Sequence, residues 1–317
     1  MNPSENLHKE RMTIVVPVFN RPALIVRCLE SLRSQTYRPL HVIVVDNDST
    51  DDTLSVVEKW KKDMEVDDDF TMEIISESLP GAAYARQTGL QTVSTDKVMY
   101  FDSDDVMRPG CVSEVMSAWS VDPDADIVAW PVVIHHEGHP VVTHSIQGDI
   151  LERHLVHALL RTQGYAVKTS FIRECGGWRG DFPVWNDFET GVRLLLNNPK
   201  IVAIREPLVD VYPQAESITG LSFSSKHGKW EKSLLGIDGS ISRSGRHDSS
   251  RLHGIVNYRR AILAAHYARE GHEEFASPLY RQALQAVPKE KRPLIRFAYH
   301  WTRLGMRGAF SIIGRLL

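Results

Sequence analysis

Cysteine is scarce in this sequence, and the few cysteines form no recognisable set. Cys28, Cys111 and Cys175 are widely spaced along 317 residues, and none belongs to a CxxC pair. This spacing excludes a disulfide framework and a cysteine zinc site. A reducing, cytosolic environment is therefore the predicted setting.

Long apolar runs and a strong excess of one charge are also missing. No stretch approaches the roughly 18–20 apolar residues that span a bilayer. The polar residues 1–12 lack the apolar core of a signal peptide. The net charge is −3, which excludes a nucleic-acid binder with a dominant basic face. We expect a soluble protein or one that lies on a membrane surface.

The glycine-rich phosphate loops of two common nucleotide-binding folds are absent as well. No GxGxxG follows the first predicted strand, and the sequence contains no GxxxxGK[ST]. Their absence disfavours a dinucleotide-binding Rossmann domain and a P-loop NTPase. The residues that follow the predicted strands are rich in carboxylates instead, which points to metal and phosphate.

The first hundred residues contain a regular alternation of strand and helix patterns. Four apolar, β-branched runs are predicted as strands: Met12–Val18, His41–Val45, Met72–Ile75 and Val98–Phe101. Helical spacing separates them, and the predicted helices start at Pro22, at a Ser49 or Thr50 cap, and at Pro80. This alternation predicts βαβ units in a mainly parallel sheet.

The rest of the sequence is less regular and suggests three parts. Pro131 predicts a bulge in a strand over residues 127–134. Residues 221–250 are rich in Ser, Gly, Lys and His, which predicts a mobile loop or linker. We therefore expect an α/β domain over residues 1–220, this linker, and a helical C-terminal extension over residues 251–317.

An acidic cluster, Asp102-Ser103-Asp104-Asp105, directly follows the fourth predicted strand. In open α/β sheets, ligands bind beyond the carboxyl ends of the strands. Two carboxylates two residues apart can converge on one hard divalent cation. Such a cation bridges the oxygens of a diphosphate and stabilises charge as that diphosphate leaves. An acidic turn or helix cap is the structural alternative.

A second acidic cluster, residues 46–52, follows the second predicted strand. A carboxylate or amide at this position can hydrogen-bond a nucleotide base or ribose. Helix capping by Asp, Ser and Thr explains part of the cluster. Capping does not readily explain Asp46, because this residue follows four apolar residues.

Four segments occur in an order and spacing that resemble the family 2 glycosyltransferases of bacterial polysaccharide biosynthesis. They are Ile14–Asn20, Val44–Thr53, Gly81–Leu90 and Phe101–Asp105. No single segment suffices, but the four together cover a resemblance over roughly residues 11–215. The resemblance implies a GT-A fold, that of the nucleotide-diphospho-sugar transferases, with a mainly parallel mixed α/β sheet and, here, a helical C-terminal extension.

The resemblance also implies a donor site. Its nucleotide-binding residues are Pro17, Val18, Phe19, Asn20, Asp46, Asp48, Arg86, Asp102 and Ser103. Asp104 is implied as the main ligand of Mn²⁺ or Mg²⁺, and Asp102 faces the ribose or that metal. An arginine beside phosphates is expected on charge grounds too, and a surface helix arginine is the alternative for Arg86.

A downstream segment resembles the part of the family that carries the catalytic base. Gly176-Gly-Trp178 is followed by Trp185–Glu189, and Asp187 falls at the base position. The preceding residue, usually Glu in the family, is Asn186 here. Glu189 is the second candidate base, and a helix N-cap is the structural alternative for Asp187.

The third metal ligand departs from the family pattern. Relatives often have a histidine in the segment that resembles residues 211–219, and this chain has none there. His227 is a candidate substitute, and a solvated loop histidine is the alternative. A looser group, His135, His136, His139 and His144, does not define a zinc site and is interpreted as surface or acceptor-groove residues.

The C-terminal segment is basic and aromatic. Residues 291–317 contain six Lys or Arg and no acidic residue. Such a segment can lie on an anionic membrane surface, which suits a lipid-linked acceptor. A helix packed on the enzyme or on a second subunit is the alternative.

These observations predict an inverting, metal-dependent glycosyltransferase. We expect it to be cytoplasmic or peripheral on the inner face of the cell membrane, with a nucleotide-sugar donor and a glycan or lipid-linked acceptor. UDP is the favoured donor nucleotide, and GDP and dTDP remain open. The alternatives are a sugar nucleotidyltransferase and a noncatalytic glycan-binding or assembly protein.

Overall fold

The chain divides into two compact units. A computed structural model describes residues 10–64, 67–136, 139–143, 146–214, 222–306 and 308–309. The sheet unit contains the described residues up to Ile146 together with Arg161–Asp181 and Pro199–Pro213. The helical unit contains Gln147–Leu160, Phe182–Asn198 and the described residues from Gln214 onward. Both units are discontinuous in sequence, whereas the predicted domains are contiguous.

The sheet unit contains two sheets. Its strands are β1 (Met12–Val18), β2 (Leu40–Asp46), β3 (Phe70–Ser76), β4 (Lys97–Tyr100), β5 (Val106–Met107), β6 (Ile127–Ala129), β7 (Val133–His136), β8 (His139–Val142), β9 (Tyr165–Lys168), β10 (Ile201–Ala203) and β11 (Val209–Val211). The larger sheet has the order β10-β6-β9-β4-β1-β2-β3, and the smaller has the order β5-β11-β7-β8. In the larger sheet only β9 runs antiparallel to its neighbours. The predicted mainly parallel mixed sheet is confirmed.

The register of the central strands places their carboxyl ends at one edge. Val18 of β1 pairs with Asp46 of β2, and Val15 pairs with Tyr100 of β4. Every residue of β1 is buried, as expected for a parallel strand covered on both faces. The acidic clusters that follow β2 and β4 therefore meet at the same edge of the sheet.

Helices cover this sheet and approach it closely. The helices of the sheet unit are α1 (Pro22–Arg33), α2 (Thr53–Asp63), α3 (Ala82–Thr92), α4 (Cys111–Val121) and α6 (Thr169–Glu174). A Cβ atom on Gly89 of α3 would lie 2.4 Å from Cγ1 of Val15. Only glycine allows this separation, so Gly89 sets how near α3 packs to β1.

The three cysteines all belong to the sheet unit. Cys28 lies on α1, Cys111 begins α4 and Cys175 follows α6. All three are buried, and none of them is disulfide-bonded. Burial raises the pKa of the Cys28 thiol well above its usual value, and the neighbouring carboxylates of Asp105 and Asp104 raise it further.

One detail of the predicted strands needs correction. Pro131 does not lie in a bulge, because β6 and β7 belong to different sheets and the proline falls in the connection between them. A proline lacks the N–H that a strand interior requires, so it marks the end of pairing here. Strand β7 pairs with β8 in an antiparallel arrangement; Glu137 and Gly138, between these two strands in sequence, lie outside the described residues.

The helical unit contains a helix that the sequence analysis missed. Its helices are α5 (Ile150–His157), α7 (Asn186–Leu196), α8 (Lys229–Arg243), α9 (Ser249–Arg269), α10 (Glu273–Gln285) and α11 (Arg292–Arg303). The predicted mobile loop over residues 221–250 is wrong, because α8 occupies fifteen of these positions. Trp230, Leu234, Ile237 and Ile241 are buried at helical spacing, and the surrounding Ser and Gly residues obscured this pattern.

The predicted helical C-terminal segment is confirmed over the described residues. Helix α11 packs on α9 and buries Ile295, Ala298, Tyr299 and Thr302. Its apolar stripe is therefore used within the helical unit. Among the described helices, none combines the length and the apolar character that crossing a bilayer requires.

Candidate functional site

Hydrogen bonds join the loops that follow β1 and β2. The backbone N–H of Asn20 donates to Ser49 Oγ (3.1 Å), and Asn20 Oδ1 accepts from the N–H of Thr50 (2.9 Å). Ser49 and Thr50 therefore bind Asn20 rather than capping α2, whose N-cap residue is Asp52. Asn20 and Asp48 have positive φ angles of 50° and 60°, which Asn and Asp tolerate better than most residues.

The other residues of the predicted β1 segment differ in exposure. Pro17 and Val18 are buried strand residues, whereas the side chain of Phe19 is 52% exposed. A large exposed aromatic ring next to Asn20 offers a flat apolar surface at the sheet edge. Of these three residues, Phe19 has the side chain that is accessible to a ligand.

Asp46 presents an unsatisfied oxygen at the same edge. It is the last residue of β2 and is 4% exposed. Its Oδ2 accepts from the N–H of Ser49 (3.2 Å), whereas Oδ1 is buried and has no hydrogen-bond partner among the described residues. A buried carboxylate oxygen without a partner is unfavourable. Asp46 is therefore suited to accept a hydrogen bond from a ligand.

The buried Arg86 forms an ion pair with the partly exposed Asp102. A guanidinium nitrogen of Arg86 lies 2.5 Å from Oδ1 of Asp102, and Arg86, on α3, is 5% exposed. The guanidinium also lies over the ring of Trp178, 4.7 Å from its centroid. The structure thus joins two predicted nucleotide-site residues and adds the tryptophan of the Gly-Gly-Trp segment.

The Asp102–Asp105 cluster concentrates negative charge in a small volume. Burial and the neighbouring Asp102 raise the pKa of Asp104 to about 6. Burial, followed by Asp102 and Asp104, raises the pKa of Asp105 well above its usual value. Ser103 is buried between them. A bound cation would relieve this mutual repulsion.

Two residues that the sequence analysis missed satisfy these carboxylates. Nε2 of Gln163 lies 2.6 Å from Oδ2 of Asp102 and 2.5 Å from Oδ2 of Asp105. The backbone N–H of Tyr212 donates to Oδ1 of Asp105 (2.9 Å). Gln163 and Tyr212 are distant in sequence from the cluster, so no local pattern identifies them.

The chemistry of this cluster suits a hard divalent cation. Asp102 and Asp104 supply carboxylate oxygens, which Mg²⁺ and Mn²⁺ prefer. Within the part of the chain that the structure describes, no three His, Cys, Asp or Glu side chains form a complete metal site. Mg²⁺ is commonly held by one or two carboxylates together with substrate phosphates. The donor set therefore fits a cation that arrives with a phosphorylated ligand.

His227 is exposed, but one face of its ring is covered. It belongs to the helical unit, where its ring stacks on Phe275 with 3.7 Å between centroids. Its Nε2 lies 3.6 Å from the carboxylate of Glu231. His227 thus lies in an exposed turn before α8, as expected for a loop histidine, and metal ligation by His227 stays a prediction.

The looser histidine group separates into different environments. His135 stacks on Tyr212 at 4.7 Å, and its Nε2 lies 2.8 Å from Oδ1 of Asp210. His136 and His139 are exposed partners across β7 and β8. His144 lies outside the described residues.

Asp187 lies in the first turn of α7, in the helical unit. Its side chain is partly exposed, and Oδ1 accepts from the N–H of Phe188 (2.8 Å). The N-cap residue is Trp185, with a φ of 51° and no side-chain cap, so the N-cap interpretation of Asp187 is wrong.

Glu189, the second candidate base, is buried and paired. It is 1% exposed, and both of its oxygens accept from Nε of Arg193, at 2.8 and 3.0 Å. A general base has to reach the proton that it abstracts. This environment favours Asp187 over Glu189 for that role.

Buried polar contacts hold the start of α7. Nε2 of His154 lies 3.0 Å from the carbonyl oxygen of Phe188, while its Nδ1 accepts from the N–H of Leu160 (3.1 Å). The guanidinium of Arg259 lies 4.0 Å from the centroid of the Phe188 ring. A Cβ on Gly191 would lie 2.5 Å from the His154 ring, so glycine permits this contact. Asp187 is therefore carried by a rigid helix start.

The mainly parallel sheet, with carboxylates at the carboxyl ends of β2 and β4, is the arrangement that the predicted GT-A fold requires. The family model described as glycosyl transferase family 2 matches residues 13–174, just over half of the chain. A second model, glycosyl transferase family group 2, matches residues 97–280. The chain belongs to glycosyl transferase family 2.

Among curated proteins, the chain is similar to a GalNAc(5)-diNAcBac-PP-undecaprenol beta-1,3-glucosyltransferase of Campylobacter jejuni. The two are 32% identical over 106 residues, which is 33% of each chain. The match thus spans about a third of the length of that relative.

Two solved structures support the fold over nearly the whole chain. S. aureus TarS 1-349 in complex with UDP-GlcNAc superimposes with a TM-score of 0.71 at 16% identity, covering 96% of this chain and 92% of that one. The mannosyltransferase PcManGT of Pyrobaculum calidifontis, in complex with GDP-Man and Mn²⁺, gives 0.55 at 20% identity, covering 98% and 87%. The predicted GT-A fold is confirmed.

Proposed function

We propose that this chain transfers a sugar from a nucleotide-diphosphate donor, a UDP-sugar in the first instance, to a hydroxyl of a glycan or lipid-linked acceptor. One observation carries the proposal: the sheet edge joins Asp46, with its unsatisfied buried oxygen, to the carboxylates of Asp102 and Asp104. The first can accept from a base, and the others suit a diphosphate and its cation. Together they match the base and the diphosphate of a sugar nucleotide.

The donor residues have separable roles in this proposal. Asp46 accepts from the base, and Asn20 orders the loop around it. Phe19 offers an aromatic surface for the base. Arg86 holds the Asp102 carboxylate in place through its hydrogen bond and orients it toward the ribose. Asp102 and Asp104 would hold the divalent cation, which when bound neutralises charge on the departing diphosphate.

Asp187 is the proposed general base. The pKa of an acceptor hydroxyl lies far above 7, so its proton has to leave as attack proceeds. The acceptor oxygen bonds to the anomeric carbon while the bond from that carbon to the diphosphate breaks, and the proton passes to the Asp187 carboxylate. A single displacement of this kind inverts the anomeric configuration.

The comparisons support the choice of donor nucleotide and the choice of acceptor to different degrees. The TarS structure holds UDP-GlcNAc and the PcManGT structure holds GDP-Man, so UDP is favoured and GDP is the next candidate. The name of the Campylobacter jejuni relative includes an undecaprenol diphosphate acceptor. A lipid-linked acceptor at the inner face of the cell membrane is therefore the first one to test.

A contact with anionic membrane lipids is the proposed means of reaching such an acceptor. Lys291, Arg296 and Arg303 on and beside α11 are exposed, while the apolar stripe of this helix is buried. Arg303 also pairs with Glu273 (2.6 Å), so Lys291 and Arg296 are the stronger candidates. The proposed contact is electrostatic rather than an insertion.

The test is a calorimetric titration with UDP, GDP and dTDP, each with and without Mn²⁺. We expect one nucleotide to bind about tenfold or more tightly with Mn²⁺, and Asp104→Ala to remove this metal dependence. Asp187→Asn should bind the same nucleotide unchanged but lose transfer by about 10²–10⁴-fold.

Other outcomes assign other functions. Wild-type behaviour of both variants in binding and transfer would support the noncatalytic glycan-binding alternative. Release of inorganic diphosphate from a nucleoside triphosphate and a sugar phosphate would support the nucleotidyltransferase alternative.

A further inference from the structure

One amide side chain bridges two carboxylates at the proposed donor site. Nε2 of Gln163 lies within hydrogen-bond distance of both Asp102 (2.6 Å) and Asp105 (2.5 Å). Gln163 is 8% exposed and Asp105 is 1% exposed. All three residues belong to the sheet unit. This contact lies among the proposed cation and donor ligands, yet it involves a residue from a different part of the chain.

The topology explains how Gln163 reaches this edge. Strand β9 runs antiparallel to β4, with Met99 paired to Ala166. Continuing that register sets Gln163 opposite Asp102. A parallel strand would bring its carboxyl end to this edge, whereas β9 brings the turn that precedes it. The reversed strand therefore supplies a side chain that the βαβ pattern alone would not provide.

The amide group is chemically suited to this position. A glutamine side chain carries two N–H donors and no charge, so it can donate once to each carboxylate without neutralising either. A lysine would cancel charge that a cation requires, and a glutamate would repel both neighbours. The remaining oxygens accept from Arg86 and from the N–H of Tyr212, so each oxygen of Asp102 and Asp105 has a protein donor.

We propose that Gln163 is a positioning residue that fixes Asp102 against Asp105 and so preorganises the carboxylates that hold the cation and the donor. The proposal rests on the proposed function. Preorganised ligands lose less conformational freedom on binding, and outer contacts of this kind typically contribute 10–100-fold to metal affinity. Without the bridge, Asp102 loses the contact that ties its carboxylate to Asp105, and the cation has to order that carboxylate on binding.

The decisive variant is Gln163→Met, which keeps the length of the side chain and removes both N–H donors. Calorimetry would measure the Kd of UDP with Mn²⁺, of UDP alone, and of Mn²⁺ alone. We expect the Kd for UDP with Mn²⁺ to rise 10–100-fold and the Kd for UDP alone to stay within twofold. In transfer assays, KM for the donor and the Mn²⁺ requirement should rise more than kcat falls.

Gln35→Met is a matched control. Gln35 is 4% exposed in the same unit, and its Nε2 donates to the carbonyl oxygens of Ser31 and Arg108. Removing that amide should lower the Tm without a selective effect on binding with Mn²⁺. If Gln163→Met behaves like Gln35→Met, the role of Gln163 is structural and the proposal is overturned.

The other outcomes are equally distinct. Wild-type affinity for UDP with Mn²⁺ in Gln163→Met overturns the inference and leaves the proposed function intact. Failure of the wild-type chain to bind any of UDP, GDP or dTDP with Mn²⁺ overturns both. If Gln163→Met does not fold, Gln163→Asn, which keeps both donors on a shorter side chain, should show an intermediate loss, and undiminished binding there would overturn the inference.

Discussion

At the residue scale, Asp187 and Glu189 show how environment separates two neighbouring carboxylates. Both lie in the first turn of α7, but only Asp187 is partly exposed. Glu189 and Arg193 are buried together, with both glutamate oxygens engaged. The sequence presents the two as alternatives, because neither burial nor pairing with Arg193 can be read from their order alone.

Glu189→Gln should therefore destabilise the fold rather than abolish chemistry directly. Removing one charge of a buried pair leaves the other unpaired, at an expected loss of about 3 kcal/mol in the free energy of unfolding. Asp187→Asn is the matched variant and should change stability by less than about 0.5 kcal/mol. Urea unfolding of both variants makes the comparison. Full stability of Glu189→Gln with loss of transfer would instead make Glu189 the base.

At the element scale, the predicted strands and helices of the first hundred residues agree with the structure because their signals are local. The run of buried residues in β1 and the proline at the start of α1 are examples. Helix α8 was missed because serine and glycine dilute its four buried apolar residues. The contact of Gln163 with Asp102 depends on strand register, which no local pattern contains.

The contacts of α8 and α9 predict that helices α5 and α7 lose their order in a chain truncated after Gly220. Ser233 of α8 donates to the carbonyl oxygen of Val184 (2.6 Å), and Trp230 packs edge-on against Trp185 at 4.8 Å. Arg259 of α9 donates to the carbonyl oxygens of Leu155 and Val156. The truncation removes Trp230, Ser233 and Arg259, and with them all of these contacts.

Circular dichroism and hydrogen exchange provide the measurement. In the chain ending at Gly220, amides of α5 and α7 should exchange at least 10²-fold faster than in the full chain. A chain truncated after Leu304 is the control and should keep their protection. Unchanged protection in the chain ending at Gly220 would instead support the predicted contiguous domain over residues 1–220.

At the scale of the whole molecule, the net charge is −3, although the C-terminal segment is locally basic. Residues 291–317 contain no acidic residue, and Lys291 and Arg296 are exposed there. The fold-level prediction of a GT-A enzyme succeeded because four ordered segments define it. The role of these basic residues could not be predicted in the same way. The apolar residues of α11 are compatible both with membrane binding and with packing on the protein, and only the packing on α9 separates the two.

Vesicle sedimentation tests the membrane contact. The chain should bind vesicles with 30% phosphatidylglycerol and not pure phosphatidylcholine, and binding should weaken as salt rises. The double change Lys291→Glu with Arg296→Glu should reduce binding about tenfold or more. Lys59→Glu with Lys62→Glu, on the exposed face of α2, changes the net charge equally and should have little effect. Equal loss in both variants would make the attraction a property of net charge alone.

The placement of all three buried thiols in one unit has a practical consequence. A thiol reagent added to the native chain reacts only as fast as the sheet unit opens, since a buried thiol has to become accessible and lose its proton first. The helical unit contains no cysteine, so its opening produces no labelling in the same experiment. Cysteine labelling thus measures the opening rate of the sheet unit, and slower labelling with nucleotide and Mn²⁺ would indicate that the proposed donor site lies in this unit.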